Sequence, residues 1–439
     1  MARYEEDINK RRAKREALRK KHQAEQRRLL FGLIAAAVVL ALCAVGIFSI
    51  SQKAPQAETQ KPAERPRPTQ PTQPIIQQQN TQTTIHIRAA GDLNVTNTVV
   101  DAGLSGSGFD FTRAFLDVSA VLSDADLTVL NFEGNICGEP YGTETTSAPK
   151  EILTALRNSG VDMVQMANSC SINNGLIGLG ATLDAIREAG IVPLGAYSSP
   201  AEFRESGGYT ICEVQGIRVA FVAFTKGVGG MGMPSGNENC VNLLYKDYAT
   251  TYDDINKEGI TAILKSVESE KPDITVAMLH WGSEYNDTIS DSQKSIASLM
   301  KKNGVDIILG THPHTVQEIE YDPAAGTLIA YSLGDFFGDA TRGGTNYSII
   351  LDIEITKDAA SGTTRVTGFD HTPIYTLKTT DCVDGRTRVV RLEQTRDAYL
   401  GNYVDKVTAA CHADLDYSMD RIEVRLDPSK ATEPTEPAK

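Results

Sequence analysis

The chain has 439 residues and a net charge of −13, although its first 28 residues carry +6. The remainder therefore carries −19, and such an acidic surface repels nucleic acid and other anionic polymers unless a cation intervenes. This charge excludes nucleic-acid binding. Zinc-finger modules are excluded as well, because no two cysteines have the close C-x-x-C spacing.

An uncharged apolar run of 22 residues, Leu29–Ile50, follows the basic segment 1–28. At helical rise this run is long enough to cross a hydrocarbon core of about 30 Å. The positive-inside rule keeps residues 1–28 in the cytoplasm as a basic tail and places everything after Ile50 outside. A cleaved signal peptide is the competing interpretation, but the run is too long for one and no A-x-A-like site follows. We therefore predict a single-pass protein of the cell membrane.

Three further segments follow the predicted anchor. Residues 51–84 are rich in Pro, Gln and Thr and have too few apolar residues to fold, so we expect a disordered linker. Residues 85–425 have the size of one extracellular α/β domain, and residues 426–439 are expected to form a disordered tail. The six cysteines of the extracellular part can form disulfides in fifteen complete pairings, among which the sequence does not choose.

Strand-like apolar runs alternate with helical spacing through the first half of the domain. The predicted strands are Ile85–Ala90, Leu127–Leu130, Val161–Met166 and Ile191–Leu194. The predicted helices between them are Phe109–Leu122, Glu151–Arg157 and Leu179–Ala189. This βαβα alternation is the signature of a parallel sheet.

The second half of the domain begins with a predicted hairpin of Tyr209–Val214 and Ile217–Phe224, followed by a glycine-rich loop at 227–239 that we expect to be mobile. The alternation then resumes with helices Ile255–Glu270 and Ser292–Lys302 and strands Ile274–Leu279 and Val305–Leu309. A run of antiparallel strands is expected from Val316 to Ile355. Together these elements predict two packed sheets flanked by helices.

Polar side chains follow the apolar strands at the points where the strands end. Loops that leave neighbouring parallel strands converge there, so side chains distant in sequence meet. Taken singly, such a histidine is as readily a hydrogen-bonded structural residue, and Asp or Asn is more commonly a cap or turn former. The ordered set favours a shared metal site, and its members are Asp92, Asn131, Glu133, Asn168, His280, Glu284, His312, His314 and Asp335.

This combination of ligand types restricts the metal. Carboxylates, an amide oxygen and imidazoles together suit Mn, Fe or Zn, whereas calcium prefers oxygen alone and copper favours sulfur. Two such ions about 3.5–4 Å apart activate water and polarise a phosphoryl or carbonyl oxygen without a covalent intermediate. The site therefore favours a metal-dependent hydrolase that acts at a phosphoryl or carbonyl group.

Six motifs occur in order along the domain: G-D at 91–92, N-F-E at 131–133, A-N at 167–168, H-W-G-S-E-Y at 280–285, G-T-H-P-H at 310–314 and Y-S-L-G-D-F at 331–336. In order and spacing they resemble the CapA-type poly-γ-glutamate capsule synthesis family over residues 85–340. That family is similar to calcineurin-like metallophosphoesterases, so the resemblance implies a four-layer αββα sandwich with two metal ions. It implies as ligands Asp92, Glu133, Asn168, His280, His312 and His314.

The chain departs from the family pattern A-N-N-H-x-x-D-x-G at residues 167–175, where Cys170 replaces the histidine and Asn173 the aspartate. In similar sites that histidine contacts substrate or protonates the leaving group, which a thiol does poorly. Cys170 is alternatively a structural thiol or the disulfide partner of Cys137. Asp335 replaces the asparagine of the usual G-N-F and is a candidate ligand or substrate-orienting group. Glu284 completes the candidate catalytic residues, Cys170, Glu284 and Asp335.

The resemblance implies a membrane-anchored, outward-facing protein of capsule or poly-γ-glutamate biosynthesis. Its expected partners are an anionic surface polymer or its precursor, and other capsule-synthesis membrane subunits. The altered residues Cys170 and Asn173 support an alternative, a catalytically decayed polymer-binding or scaffold subunit of a capsule export complex. A cell-wall metallohydrolase shares the anchor and the cleft and is the third hypothesis.

Overall fold

The computed structural model describes residues 82–400 and 407–427, without the side chains of residues 399 and 400. The predicted cytoplasmic tail and anchor lie outside the described residues, as do most of the predicted linker and C-terminal tail. Within the described ranges, no helix combines the length and the apolarity that a membrane span needs. The first strand begins at Gln82, three residues before the predicted domain boundary, because residues 82–84 pair with residues 356–358 of a later strand.

Sixteen strands occur in the described residues and form two large sheets and one short hairpin. In chain order they are β1 (Gln82–Asn94), β2 (Leu104–Ser105), β3 (Gly108–Phe109), β4 (Leu127–Glu133), β5 (Met163–Gln165), β6 (Val192–Leu194), β7 (Thr210–Val214), β8 (Ile217–Thr225), β9 (Ile274–His280), β10 (Ile307–Thr311), β11 (Ile319–Asp322), β12 (Thr327–Ala330), β13 (Asp335–Phe337), β14 (Tyr347–Asp358), β15 (Thr363–Leu377) and β16 (Arg388–Arg391). The hairpin is formed by β2 and β3.

Nine α-helices occur in the same described ranges. They are α1 (Asn97–Ala102), α2 (Leu116–Ser123), α3 (Glu151–Asn158), α4 (Gly175–Glu188), α5 (Pro200–Ser206), α6 (Lys257–Ser269), α7 (Asp291–Lys302), α8 (Leu392–Leu400) and α9 (Ala409–Leu426). Short 3-10 helices lie at Thr112–Ala114 and Glu238–Cys240.

The first sheet has the strand order β16-β15-β14-β1-β4-β5-β6, and β13 pairs with β1 as well. Strands β1, β4, β5 and β6 are parallel, whereas β14, β15 and β16 extend the sheet by antiparallel pairing. Every residue of β4 is buried, as is usual for a central parallel strand covered on both faces. This burial explains the apolar run that precedes its terminal Asn-Phe-Glu.

The second sheet has the strand order β11-β12-β10-β9-β8-β7. Its inner strands β8, β9, β10 and β12 are parallel, and the edge strands β7 and β11 are antiparallel to their neighbours. The predicted hairpin of β7 and β8 is confirmed. Its turn residues Gln215 and Gly216 have φ of 54° and 77°, the conformation that tight two-residue hairpins prefer.

The two sheets pack face to face, with helices on the outer faces. Along β8, Val219 and Phe221 belong to the apolar core shared with the first sheet, whereas Ala220 and Val222 pack with α6 and α7. Because β1, β4, β5 and β6 are parallel and adjacent in this order, the right-handed crossover rule expects α2, α3 and α4 on one face of the first sheet. The α/β fold predicted from the sequence, with mixed sheets, is thus confirmed.

Two predictions of secondary structure are wrong. The strands between Val316 and Ile355 are not all antiparallel, because β12 is parallel to β10 and β13 is parallel to β1. Both pairings join segments that are not neighbours along the chain, so local pattern does not show them. The predicted helix Phe109–Leu122 begins only at Leu116, because Phe109 pairs with Leu104 in the β2-β3 hairpin.

The alternative in which Cys170 forms a disulfide with Cys137 does not agree with the structure. All six cysteines in the described residues are free thiols. Cys137 is exposed and its sulfur lies 3.4 Å from the hydroxyl oxygen of Ser147, whereas Cys170 is buried. Of the two alternatives for Cys170, the structure therefore favours a buried structural thiol.

A partly buried carboxyl away from the carboxyl ends of the strands, Asp306, gives a prediction on pH. Asp306 precedes β10, its Oδ2 accepts the N–H of Thr275 at 2.8 Å, and burial raises its pKa to about 6. A raised pKa means that the folded state holds the proton more tightly, so the contribution of Asp306 to stability is fully present below about pH 4 and is lost as the pH rises through 6. Asp306→Asn should not show this loss. Between pH 4 and pH 7 its free energy of unfolding should therefore fall by about 2–3 kcal/mol less than that of the wild type.

Urea unfolding of both proteins at pH 4 and pH 7 measures this difference. Asp253→Asn, at an exposed carboxyl, is the control. An Asp306→Asn variant whose stability changes with pH as much as that of the wild type would contradict the assignment.

Candidate metal centre

Asp92, Asn131 and Asp335 lie side by side at the carboxyl edge of the first sheet. Asp92 of β1 is in register with Asn131 of β4 and with Asp335 of β13, and both strand pairings are parallel. The Asp92 N–H donates to the carbonyl of Gly334 at 2.9 Å. A Cβ on Gly91 would lie 1.8 Å from that same oxygen, so β13 can approach β1 only because residue 91 is glycine. The two Gly-Asp pairs thus bring two carboxylates together.

The second sheet contributes the histidines. His280 and Thr311 end the neighbouring parallel strands β9 and β10 and are level with one another. His312 and His314 then adopt left-handed backbone conformations with φ of 92° and 57°, which cost on the order of 1–3 kcal/mol each in a residue with a side chain. Asp92 Oδ2 accepts the N–H of His312 at 3.0 Å and so links this turn to the first sheet.

A first group of candidate ligands consists of Glu133, His280 and His312, all buried, with one ligand atom each within 4.8 Å of the others. His280 Nε2 lies 3.4 Å from Glu133 Oε1, and the two imidazole rings are 4.5 Å apart between centroids. On its other side, His280 Nδ1 lies 3.1 Å from the hydroxyl oxygen of Thr311. Such a hydrogen bond fixes the orientation of a metal-binding histidine.

A second group consists of Asp92, His314 and Asp335, again all buried. His314 Nδ1 lies 2.7 Å from Asp335 Oδ1 and 3.6 Å from Asp92 Oδ2. Burial raises the pKa of Asp92, which has Asn131 Nδ2 donating to its Oδ1 at 2.6 Å. Asp335, which the sequence suggested as an additional ligand, therefore lies among the predicted ones.

Glu133 connects the two groups. Its Oε1 lies 3.4 Å from His280 Nε2, and its Oε2 lies 3.9 Å from His314 Nε2. Glu133 Oε2 and His312 Nδ1 are buried and have no hydrogen-bond partner among the described residues. A buried polar atom without a partner costs about 1–3 kcal/mol. Since both atoms belong to candidate ligand groups, the residues fit a divalent cation that would supply the partner.

The pKa values of the site follow from burial and from the charges in contact. Burial raises the pKa of Asp335 to about 7. Burial opposes the ionisation of Glu133 as well, but the nearby His280 and His314 outweigh burial and lower the pKa of Glu133. Burial also opposes protonation of His314, yet contact with Asp335 holds its pKa well above the ordinary value. Burial, together with neighbouring His280, holds the pKa of His312 well below its usual range. His312 is therefore a neutral imidazole, ready to bind a cation.

Asn168 lies beside this cluster, with its side-chain amide engaged by the protein. Its Nδ2 donates to Asn131 Oδ1 at 3.0 Å and to the carbonyl of Phe132 at 2.8 Å. Its Oδ1 accepts the N–H of Cys170 at 3.0 Å. The amide thus joins the loop after β5 to β4, and its role as a metal ligand stays a prediction.

The candidate catalytic residues Cys170 and Glu284 lie in different environments. Cys170 is buried, and burial raises its thiol pKa well above the ordinary value, so it does not titrate near neutrality. Glu284 is exposed and forms a third possible ligand group with His312 and His314. Glu284 is therefore at the open side of the centre.

Two residues of the site were missed by the sequence reasoning. The hydroxyl oxygen of Ser169 lies 2.9 Å from His280 Nε2. Lys226 follows β8 directly, donates to the carbonyl of Gly282 at 2.7 Å, and lies close enough to His312 to lower its pKa. A polar residue directly after an apolar strand was the signal for the acids and histidines, and it would have found Lys226 as well.

The sequence matches the family described as bacterial capsule synthesis protein PGA_cap over residues 86–340, more than half of the chain. The chain belongs to this family. The match includes all six residues predicted as ligands, and it ends before β14. The resemblance to CapA-type proteins predicted from the six motifs is confirmed.

Two relatives of this PGA_cap protein carry names that agree with the family. The PGA biosynthesis protein CapA of Bacillus subtilis (strain 168) is 29% identical over 269 residues, which cover 59% of this chain and 64% of that protein. The capsule biosynthesis protein CapA of Bacillus anthracis is 28% identical over 237 residues, which cover 51% of this chain and 53% of that protein. The chain thus spans less than two thirds of each relative.

Solved structures with a similar arrangement include the calcineurin-like phosphoesterase YfkN from Bacillus subtilis, at 16% identity and a TM-score of 0.43. That comparison covers 77% of this PGA_cap protein and 99% of the solved chain. A novel phosphatase from Mycoplasma pneumoniae is 14% identical, with a TM-score of 0.41. That comparison covers 67% of this chain and 94% of the phosphatase chain.

Proposed function

We propose that this protein acts in capsule or poly-γ-glutamate biosynthesis as a membrane-anchored, outward-facing, metal-dependent hydrolase or transferase. The observation that carries the proposal is the buried carboxylate of Glu133 between two histidine-containing ligand groups. Membership of the PGA_cap family and the names of the two CapA relatives support the biosynthetic role. The apolar run Leu29–Ile50 supports the anchor.

Two divalent cations, which the donor types suggest to be Mn, Fe or Zn, would occupy the centre. Glu133, His280 and His312 would hold one of them, and Asp92, His314 and Asp335 the other. When bound, such a pair polarises a phosphoryl or carbonyl oxygen and stabilises negative charge that develops there. Glu133 has an oxygen directed at each group and would keep the two cations together.

Two cationic side chains at the centre support an anionic substrate. Lys226 lies close enough to His312 to lower the pKa of that imidazole. The guanidinium of Arg342 lies 4.0 Å from the ring centroid of Tyr285, and that ring stacks on His314 at 5.5 Å. Positive charge beside the centre is notable in a domain of strong negative charge, because it offsets the repulsion of a polyanion. An anionic surface polymer or its precursor is therefore the proposed substrate, and other capsule-synthesis membrane subunits are proposed partners.

Cys170 is poorly suited to protonate a leaving group, and Glu284 is the other candidate catalytic residue at the centre. The Cys170 thiol is buried and its pKa is raised well above the ordinary value, so it is a poor acid at neutral pH. Glu284 is exposed and forms a possible ligand group with His312 and His314. We propose that Glu284 orients the substrate or the attacking water at the open side of the centre.

The experiment that tests the proposal begins with the metal content of the full-length protein, purified in detergent. We expect up to two ions of Mn, Fe or Zn per chain, and hydrolysis of poly-γ-glutamate or of a generic phosphodiester in the presence of Mn. Treatment with EDTA should abolish turnover, and added Mn should restore it, because the proposed cations would polarise the bond that is cleaved. Absence of bound metal and of turnover would refute the proposed activity.

A catalytically decayed scaffold or polymer-binding subunit is the second candidate function. It is favoured by Cys170, which is buried where the family has a histidine that titrates near neutrality. The same assays separate the two functions. Bound metal without turnover, together with retained binding of poly-γ-glutamate, would favour the scaffold.

A further inference from the structure

Ser169 follows the strand-end residues of β5 and faces the first ligand group. Its hydroxyl oxygen lies 2.9 Å from His280 Nε2. His280 Nε2 in turn lies 3.4 Å from Glu133 Oε1. The hydroxyl thus contacts one candidate ligand atom of the first group directly, and that atom neighbours a second.

The neighbouring amide of Asn168 is engaged by the protein itself. Its four hydrogen bonds, to Asn131, to the carbonyls of Phe132 and Gln165 and from the N–H of Cys170, involve both ends of the amide. The Asn168 N–H is also fixed, because it donates to the Ser171 hydroxyl at 3.0 Å. These contacts hold the loop rigidly and leave Ser169 as the side chain presented to His280.

We propose that Ser169 supplies the oxygen ligand of this loop to the cation held by Glu133, His280 and His312, and that Asn168 positions the loop. The inference rests on the proposed function to the extent that a divalent cation binds at this group. A hydroxyl is a small neutral oxygen donor, and it suits the same hard or borderline cations as the carboxylate and imidazoles around it. Ser169 thereby replaces Asn168 in the ligand set predicted from the sequence.

Binding of Mn²⁺ to the full-length protein in detergent, measured by isothermal titration calorimetry, tests the proposal. Ser169→Ala should weaken binding of one ion about ten-fold and leave the other unchanged, because one ligand of one group is lost. Ser169→Thr keeps the hydroxyl and should bind within about two-fold of the wild type. Ser105→Ala, at an exposed serine on the β2-β3 hairpin, is the matched control.

A change of donor atom separates coordination from a structural role. Ser169→Cys places a soft sulfur at the same position, so the ratio of Zn²⁺ to Mn²⁺ affinity should rise at least about ten-fold. A merely structural serine would leave this ratio unchanged. Thermal melting of each variant without metal shows whether it is folded, and the Ser169→Thr and Ser169→Cys data keep the test decisive if Ser169→Ala does not fold.

The outcomes distinguish this inference from the proposed function. Wild-type affinity in Ser169→Ala and an unchanged metal preference in Ser169→Cys would overturn the role of Ser169, while the metal centre would stand. Absence of Mn²⁺, Fe²⁺ and Zn²⁺ binding by both the wild type and Ser105→Ala would overturn the metal centre and the inference together.

Discussion

Glu133→Gln is expected to abolish tight binding of two divalent ions and to lower any metal-dependent turnover more than about 100-fold, beyond the loss usual for residues that only orient ligands. Glu133 is buried, and its two oxygens face His280 and His314, which belong to different ligand groups. Glutamine has the same shape but replaces one negatively charged oxygen with an amide nitrogen, which binds no cation. The effect should therefore exceed that of losing either histidine alone.

The measurement is the number of ions per chain, by elemental analysis after dialysis, with calorimetry for their affinities. Glu188→Gln, at an exposed carboxylate near the end of α4, is the matched control and should retain both ions. If Glu133→Gln keeps two ions at wild-type affinity, Glu133 does not connect the two groups.

The strand ends of the centre were predictable because the strands before them are buried on both faces. Every residue of β9 and β10 is buried, so apolar residues dominate each strand, and the polar residues at the end of the apolar run mark the carboxyl edge. His280 and His312 could therefore be placed from the sequence alone. Their convergence with Asp92 followed from the general geometry of parallel sheets.

The tertiary contacts that arrange the centre could not be predicted from the sequence. Strand β13 has only three residues, and its partner β1 lies at the other end of the domain, so nothing local shows that Asp335 lies level with Asp92. The directions of the side chains in the loop after β5 could not be predicted from the sequence either. Asn168 and Ser169 are adjacent, and the hydrogen bonds that turn the amide towards Asn131 depend on β4.

Gly91→Ala is expected to disrupt the centre without removing any candidate ligand. The new Cβ would lie 1.8 Å from the carbonyl oxygen of Gly334, a backbone atom that can yield only if β13 moves away from β1. We expect a loss of at least about 3 kcal/mol in the free energy of unfolding, as for severe overpacking. Because Asp92 and Asp335 follow the two glycines, binding at the second ligand group should be lost as well.

Urea unfolding and metal titration of Gly91→Ala measure the two effects, and Gly180→Ala offers a matched control. Gly180 lies in α4 and a Cβ there meets no atom within 4 Å, so alanine should stabilise the protein by about 0.5–1 kcal/mol. Replacement of glycine by alanine should thus lower the free energy of unfolding at position 91 and raise it at position 180. A Gly91→Ala protein as stable as the wild type, with intact metal binding, would show that β1 and β13 are not held as closely as the hydrogen bond from Asp92 to Gly334 requires.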